Sequence, residues 1–185
     1  MTKYLSVAET AKLLRSALKE SFPGVKFSVR SSSYAGGASI YVKYTDGASF
    51  DDVNSVCKQF EGAYFDGMID YKGYKSHRLD GEKVHFGANY VFCSRDYSGQ
   101  FYDSVMQPIA KLYGVEPLTF EAFKRGEACL WGGDKGLLLG ERLSDFLCKT
   151  SLIEKKHSPT LDRIKFIGDD GYGQGCVGNL EEQVA

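Results

Sequence analysis

The spacing of apolar residues changes from helical to strand-like early in the sequence, which restricts the chain to a fold that mixes helices and strands. Ser6 and Glu9 form a capping-box pattern, and the apolar residues that follow recur at helical spacing, so a helix is predicted over residues 7–21. Residues 25–30 and 39–44 instead alternate apolar and polar side chains, which is typical of half-buried strands. The chain is therefore expected to begin with a helix and two strands.

Glycine and serine positions indicate how the next elements are joined. The Gly36-Gly37 pair predicts an antiparallel hairpin with a long flexible loop over residues 31–38. Ser49 is a start signal for a second helix, which should end at Gly62. The extended stretch 64–74 and the alternating strand 84–92 predict one or two further strands in the same sheet.

The second half of the sequence is predicted to be mainly helical. Residues 98–113 read as a third helix, and two short helices are expected around residues 119–126 and 141–149. The last twenty residues are rich in glycine and poor in apolar anchors, which favours an irregular arm. The sequence thus predicts an α+β fold: a helix-strand-strand-helix unit with a small antiparallel sheet extended by further strands, then a helical half. We place an α+β domain at residues 1–97 and a helical extension, packed on it, at 98–185.

Charge and cysteine content exclude several classes of protein. The net charge is −1, which argues against a strongly basic nucleic-acid binder, although residues 1–95 carry 13 basic against 10 acidic side chains and residues 96–185 carry 10 against 14. The five cysteines are far apart and form no C-x-x-C pair, which argues against a zinc site and a disulfide framework. The absence of a long apolar run and the polar first ten residues lead us to expect a cytoplasmic protein without a membrane partner.

No motif in the sequence indicates a catalytic residue, a metal ligand or a cofactor site. The glycine-rich segments 132–136 and 171–175 lack the spacing of phosphate-binding loops, and the three histidines have no H-x-E or H-E-x-x-H neighbours. One enzymatic alternative stays open, in which Asp66, Asp70 or His85 would act with a divalent ion. The aspartates lie beside glycines or in polar loops, so local turn chemistry explains them as well.

One face of the predicted hairpin combines cations and aromatic rings. If the apolar residues of the two strands point inward, five side chains lie on or beside the outer face: Lys26, Arg30, Tyr34, Tyr41 and Lys43. Tyrosine and arginine contribute strongly to many protein interfaces, and aromatic rings beside cations also bind single-stranded nucleic acids. Ordinary solvation of a sheet face requires similar residues. We therefore predict this face as the binding surface and leave its ligand open.

Several segments of the first half resemble a known family. They are Tyr4–Ala11, Phe22–Val29, Tyr34–Ile40, Phe65–Asp70, Val84–Gly87 and Val91–Arg95. Together they resemble the large polyvalent protein-associated domain numbered twenty-nine in its series. The resemblance implies a protein of plasmids, integrative elements or phages. Because that family has no assigned activity, it supplies no catalytic residues for this chain.

The family setting and the lack of catalytic, metal-binding or cofactor motifs together favour a non-enzymatic interaction protein of a bacterial mobile element. Its expected partner is a host protein or ribonucleoprotein, such as a restriction or CRISPR defence complex. A first alternative is a DNA- or RNA-binding module that uses the hairpin face. A second alternative is the small enzyme dependent on a divalent metal.

Overall fold

The computed structural model of the protein describes residues 2–132, 136–173 and 175–180, and it confirms the predicted α+β class. The described helices are α1 (Val7–Ser21), α2 (Phe50–Lys58), α3 (Gly99–Tyr113), α4 (Phe120–Lys124), α5 (Gly136–Lys149) and α6 (Pro159–Asp162). The described strands are β1 (Lys3–Tyr4), β2 (Ser28–Tyr34), β3 (Gly37–Thr45), β4 (Ala63–Asp66), β5 (Tyr71–Leu79), β6 (Glu82–His85), β7 (Tyr90–Asp96) and β8 (Ile164–Asp169).

Local capping interactions explain where the long helices begin. The Ser6 side chain accepts a hydrogen bond from the Glu9 amide, and the Glu9 carboxylate accepts one from the Ser6 amide, so the predicted capping box is present. The Ser49 and Ser98 side chains cap α2 and α3 by accepting hydrogen bonds from the Asp52 and Phe101 amides, and Gly114 ends α3 in the left-handed conformation. Across the described residues, no helix combines the length and apolar character needed to cross a membrane.

The strands form two sheets. In the three-stranded sheet, β2 pairs antiparallel with β3, and β3 pairs parallel with β7. In the five-stranded sheet, β5 pairs antiparallel with β4, β6 and β8, while β1 pairs parallel with β6. The sheets are therefore mixed rather than purely antiparallel.

Both sheets pack on one hydrophobic core that α1 and α2 complete. Helix α1 contributes Leu14 and Leu18, both fully buried, and the three-stranded sheet contributes Ile40 and Val42. Phe86, between β6 and β7, closes the core from the side of the five-stranded sheet. The strands that contribute to this core bury one face in it, so the opposite face of these strands points away from α1 and α2.

A second hydrophobic cluster joins α3 to α5. It is centred on buried Tyr102 and Met106 of α3 and on Leu139, Leu143 and Leu147 of α5. The predicted domain boundary at residue 97 falls just before α3, and it stays a prediction.

The chain returns to the first core after α5. The Glu20 carboxylate on α1 accepts hydrogen bonds from the Ser158 hydroxyl at 2.6 Å and from the Thr160 amide at 2.9 Å. The Glu20 pKa is lowered mainly by the Ser158 hydrogen bond. Strand β8 then pairs with β5, so the C-terminal segment is partly built into the sheet.

Two sequence-based predictions for the first half differ from the structure in detail. The hairpin loop is not long, because residues 31–34 and 37–38 are paired and only Ala35-Gly36 form the turn. Residues 84–92 do not form one strand: β6 ends at His85 and β7 begins at Tyr90, in a different sheet. The backbone between them bonds instead to Gly62, Ala63 and Ala38, which carries the chain from one sheet to the other.

The helical half and the C-terminal arm also need adjustment. Helix α5 begins at Gly136, five residues before the predicted start at 141, and α3 is continuous through Pro108. The irregular C-terminal region follows β8, so the predicted twenty-residue arm contains strand at its beginning. Residues 133–135 of the glycine-rich segment, Gln174 and residues 181–185 lie outside the described residues.

Candidate binding surface

Among the described residues, the outer face of the three-stranded sheet is largely exposed and aromatic, although Ser39 on it is buried. Val29, Ile40 and Val91 point into the core, so the alternate residues of each strand point outward. We call the basic and aromatic residues among them the aromatic platform; they are Arg30, Tyr34, Tyr41, Lys43, Tyr90 and Phe92.

The centre of the aromatic platform is a row of three side chains on neighbouring strands. Arg30 on β2 lies opposite Tyr41 on β3, and Tyr41 lies opposite Phe92 on β7. The Tyr41 and Phe92 rings are stacked, with centroids 5.3 Å apart and planes inclined by 24°. Tyr41 is 45% exposed and Phe92 is 49% exposed, so the stacked pair stands half in solvent.

Polar and aromatic side chains border this row on both sides. Ser28, Lys43 and Ser94 are paired along the strands toward one end of the sheet. Toward the other end, the hydroxyls of Tyr34 and Ser39 lie 3.2 Å apart and share a hydrogen bond, and Tyr90 lies opposite Ser39. Burial raises the pKa of Tyr90, with a smaller effect from Tyr34. Because the serines are small, the rings and the two cations are the largest side chains of the face.

The structure brings four of the five predicted site residues onto strands of one face. Arg30 and Tyr34 are on β2, and Tyr41 and Lys43 are on β3. Lys26 precedes β2 in the segment between α1 and the sheet, where it and Lys43 line a groove of about 860 Å³. Their role in binding stays a prediction.

Sequence reasoning missed Phe92 and Tyr90 as members of the platform. The segment 90–96 alternates, but both of its phases carry bulky side chains, so periodicity alone does not show which phase is buried. Val91, Cys93 and Arg95 face inward, which leaves Tyr90 and Phe92 outside. The parallel pairing with β3, some 50 residues earlier in the chain, decides this orientation.

The three residues of the enzymatic alternative, Asp66, Asp70 and His85, have separate local roles. The Asp66 carboxylate accepts a hydrogen bond from the Met68 amide at 2.9 Å, which closes the turn between β4 and β5. Asp70 occupies that same turn with a positive φ of 49°. His85 lies on β6, where burial lowers its pKa. Among the described residues, these three side chains do not form a metal-ligating group.

Another acidic group lies in the C-terminal region. Ligand atoms of Asp169, Asp170 and Cys176 lie within 4.8 Å of one another. The Asp169 carboxylate accepts hydrogen bonds from the backbone amides of Gly171, Val177 and Gly178. This carboxylate therefore serves as a fold-stabilising acceptor for the C-terminal turn.

Asp170 has an equally complete set of donors. It accepts hydrogen bonds from the hydroxyls of Tyr64 and Tyr71 and from the Tyr74 amide. Although burial opposes the change, these hydrogen bonds lower the pKa of Asp170. The residue anchors the C-terminal region to β4 and β5, which accounts for its position without a metal ion.

Comparison with known proteins identifies the first half of the chain. No curated protein and no solved structure matches it. The family model described as large polyvalent protein associated domain 29 matches residues 5–98, slightly more than half of the 185 residues. The matched span runs from the start of α1 to the end of β7 and contains the whole aromatic platform. Membership associates the protein with mobile genetic elements, and it confirms the resemblance noted in the sequence: this chain belongs to the large polyvalent protein associated domain 29 family.

Proposed function

We propose that the protein is a non-enzymatic binding protein of a bacterial plasmid or phage. Its aromatic platform docks on a host protein or ribonucleoprotein, such as a restriction or CRISPR defence complex. The observation that carries the proposal is the half-exposed stack of Tyr41 and Phe92 beside Arg30. The family membership supports the setting in a mobile element.

The energetics of exposed aromatic rings favour an interface at this position. Complete burial of a large apolar side chain is worth about 1.5–3 kcal/mol, and Tyr41 and Phe92 realise only about half of their burial in the free protein. A partner that covers both rings gains the remaining free energy of their burial. Tyrosine, phenylalanine and arginine are also enriched at the centres of protein interfaces, because they combine a large area with few rotatable bonds or several hydrogen-bond donors.

The platform also suggests what its partner presents. Arg30 and Lys43 flank the stacked rings, and both side chains are exposed. An apolar patch bordered by carboxylates would match this arrangement of rings and cations. A ribonucleoprotein could meet the cations with phosphates instead.

A second candidate function is direct binding of single-stranded nucleic acid on the same platform. It is favoured by the same ring stack, because unpaired bases stack on exposed aromatic side chains while cations contact the phosphates. Binding of this kind weakens steeply as salt rises, whereas an interface dominated by aromatic burial depends little on salt.

The double variant Tyr41→Ser/Phe92→Ser is expected to lose partner binding by at least about tenfold, because both central rings are removed. The matched control is Leu112→Ser/Tyr113→Ser, which removes an exposed apolar and an exposed aromatic side chain from α3. Tagged wild type and both variants would be used to capture partners from a bacterial host lysate, with and without nuclease.

The docking proposal requires one stoichiometric, nuclease-resistant partner that is retained by wild type and the α3 control and lost by the platform variant. The captured partner would then be purified and its affinity measured for the three proteins. Equal affinity of the platform variant and wild type would refute the placement of the site. Recovery that collapses after nuclease treatment would favour the nucleic-acid candidate instead.

A further inference from the structure

The outer face of the five-stranded sheet carries a second group of aromatic and basic side chains. His77 and Val84 lie opposite each other and are buried, so their neighbours Ser76, Arg78, Lys83 and His85 point to the other side of the sheet. We call this outward side the basic face. Its cationic side chains include Arg78 on β5, Lys83 on β6 and Lys165 on β8, and His85 on β6 lies beside them.

Three cations form a row across neighbouring strands of the basic face. Lys165 on β8 lies opposite Arg78 on β5, and Arg78 lies opposite Lys83 on β6. With strands about 4.8 Å apart, the row spans about 10 Å. The Arg78 guanidinium donates a hydrogen bond to the Gly81 carbonyl at 2.7 Å, whereas Lys83 and Lys165 are exposed at the two ends of the row.

An aromatic group lies beside the row. The Tyr4 and His85 rings have centroids 5.4 Å apart, and the Tyr74 and His85 rings have centroids 5.5 Å apart. Tyr4 is 76% exposed and Tyr74 is 53% exposed, although both are large aromatic residues. The three rings line a groove of about 490 Å³ together with Lys83 and Ser76.

The combination selects one class of ligand. Exposed rings stack on unpaired bases, a row of cations contacts successive phosphates, and a neighbouring serine supplies a hydroxyl for polar contact. A folded acidic protein would use the cations but leaves the ring group unexplained. A duplex would use the cations but keeps its bases stacked within the helix and away from the rings.

We propose that the basic face binds single-stranded nucleic acid, with bases on the Tyr4, Tyr74 and His85 rings and phosphates on Lys83 and Lys165. The proposal does not depend on the aromatic platform, which lies on the other sheet. It gives the protein a direct contact with a nucleic acid even where its docking partner is a protein.

The test is a titration of the full chain into fluorescein-labelled oligouridylate and oligothymidylate of about 16 nucleotides, followed by fluorescence anisotropy. Wild type is expected to bind at about 50 mM salt and to weaken markedly by about 200 mM. The variant Tyr4→Ser/Tyr74→Ser is expected to bind at least about tenfold more weakly, because each ring lost removes a stacking contact. A duplex of the same length is expected to bind more weakly than either single strand.

A second variant tests the cations and guards against loss of folding in the first. Lys83→Ala/Lys165→Ala should reduce the slope of log affinity against log salt by about one to two, since two phosphate contacts are removed. The matched control is Lys12→Ala/Lys19→Ala, which removes the same charge from the exposed surface of α1. Circular dichroism would verify that all variants keep the fold.

Two results would overturn the proposal. The first is no binding of either oligonucleotide by wild type at low salt. The second is unchanged binding by both basic-face variants. If Tyr41→Ser/Phe92→Ser alone weakens binding, the nucleic-acid site belongs on the aromatic platform and the basic face is rejected. Failure of the docking proposal in partner capture leaves these titrations unaffected, so the two proposals can be judged separately.

Discussion

Replacing Arg95 with methionine is expected to lower the free energy of unfolding by about 3–4 kcal/mol, because its buried guanidinium hydrogen-bonds the end of α5 to the three-stranded sheet. Arg95 is on β7 and is 8% exposed. Its terminal nitrogen donates hydrogen bonds to the carbonyls of Leu147 at 2.8 Å and Thr150 at 2.9 Å, where α5 ends. These carbonyls have no further partners within the helix, so the arginine acts as the cap of α5.

Other contacts of Arg95 tie the cap to Asp46 in the first half of the chain and to Phe101 on α3. Its Nε donates to the Asp46 carbonyl at 3.1 Å, and its guanidinium carbon lies 4.7 Å from the centroid of the Phe101 ring. A buried cation over an aromatic face adds to the hydrogen bonds. Methionine keeps the apolar stem but leaves the α5 carbonyls unsatisfied, and that is the reason for the large expected effect.

Urea unfolding followed by circular dichroism would measure the change. The control is Arg163→Met, whose exposed side chain pairs with Asp80 at the surface and which is expected to change stability by less than about 1 kcal/mol. If Arg95→Met and Arg163→Met had similar effects, the role assigned to Arg95 in joining α5 to the three-stranded sheet would be wrong.

Acid is expected to destabilise the protein through His77. This side chain is 2% exposed and lies between the Phe86 and Phe166 rings, with centroid distances of 4.9 and 5.4 Å. Burial lowers the pKa of His77 to about 4, with smaller effects from Lys75 and His85. In the unfolded chain the pKa of the imidazole is about 6.5, so it is protonated below that pH.

The direction of the pH effect on stability follows from the number of protons bound in the folded and unfolded states. Between pH 6.5 and 4 the unfolded chain binds a proton that the folded state excludes, so stability is lost as the pH falls through this window. The full effect of this one group is about 3 kcal/mol. Above pH 7 both states hold the imidazole neutral, and His77 contributes no pH dependence.

The variant His77→Phe isolates this effect from the acid titration of carboxylates. Phenylalanine is an apolar ring of similar size and carries no proton. Unfolding free energies measured between pH 7 and 4 should fall by about 3 kcal/mol less for the variant than for wild type. Identical pH profiles for the two proteins would show that His77 is solvated in the folded state.

Elements with local signals could be predicted from the sequence. The helices capped by Ser6, Ser49 and Ser98 begin where their capping residues indicate, because a cap satisfies orphan amides within one turn. Strand β2 was harder, since Ser31, Ser32 and Ser33 are exposed at the edge of the sheet and give no alternation. An edge strand of this kind resembles a loop in its composition, which explains the misplaced hairpin loop.

The two candidate binding faces are formed by strand pairings between segments that are distant in the sequence. Arg95 contradicts the rule that polar residues of a strand face water, and its inward position sets Phe92 outward on the same strand. The cation row of the basic face needs the pairing of β8 with β5, which joins Lys165 to Arg78 across 87 positions. Spacing within one segment carries no information about such pairings, so the platform was only partly predictable and the basic face was not predictable.

Site-specific photo-crosslinking tests the docking proposal most directly. A photoreactive phenylalanine analogue would replace Tyr41 at the centre of the aromatic platform, or Leu112 on the exposed surface of α3, in bacteria that host the mobile element. We predict a single nuclease-resistant protein adduct from position 41 and none from position 112. Adducts from position 112 alone, or the same adducts from both positions, would contradict the assignment of the aromatic platform as the docking surface.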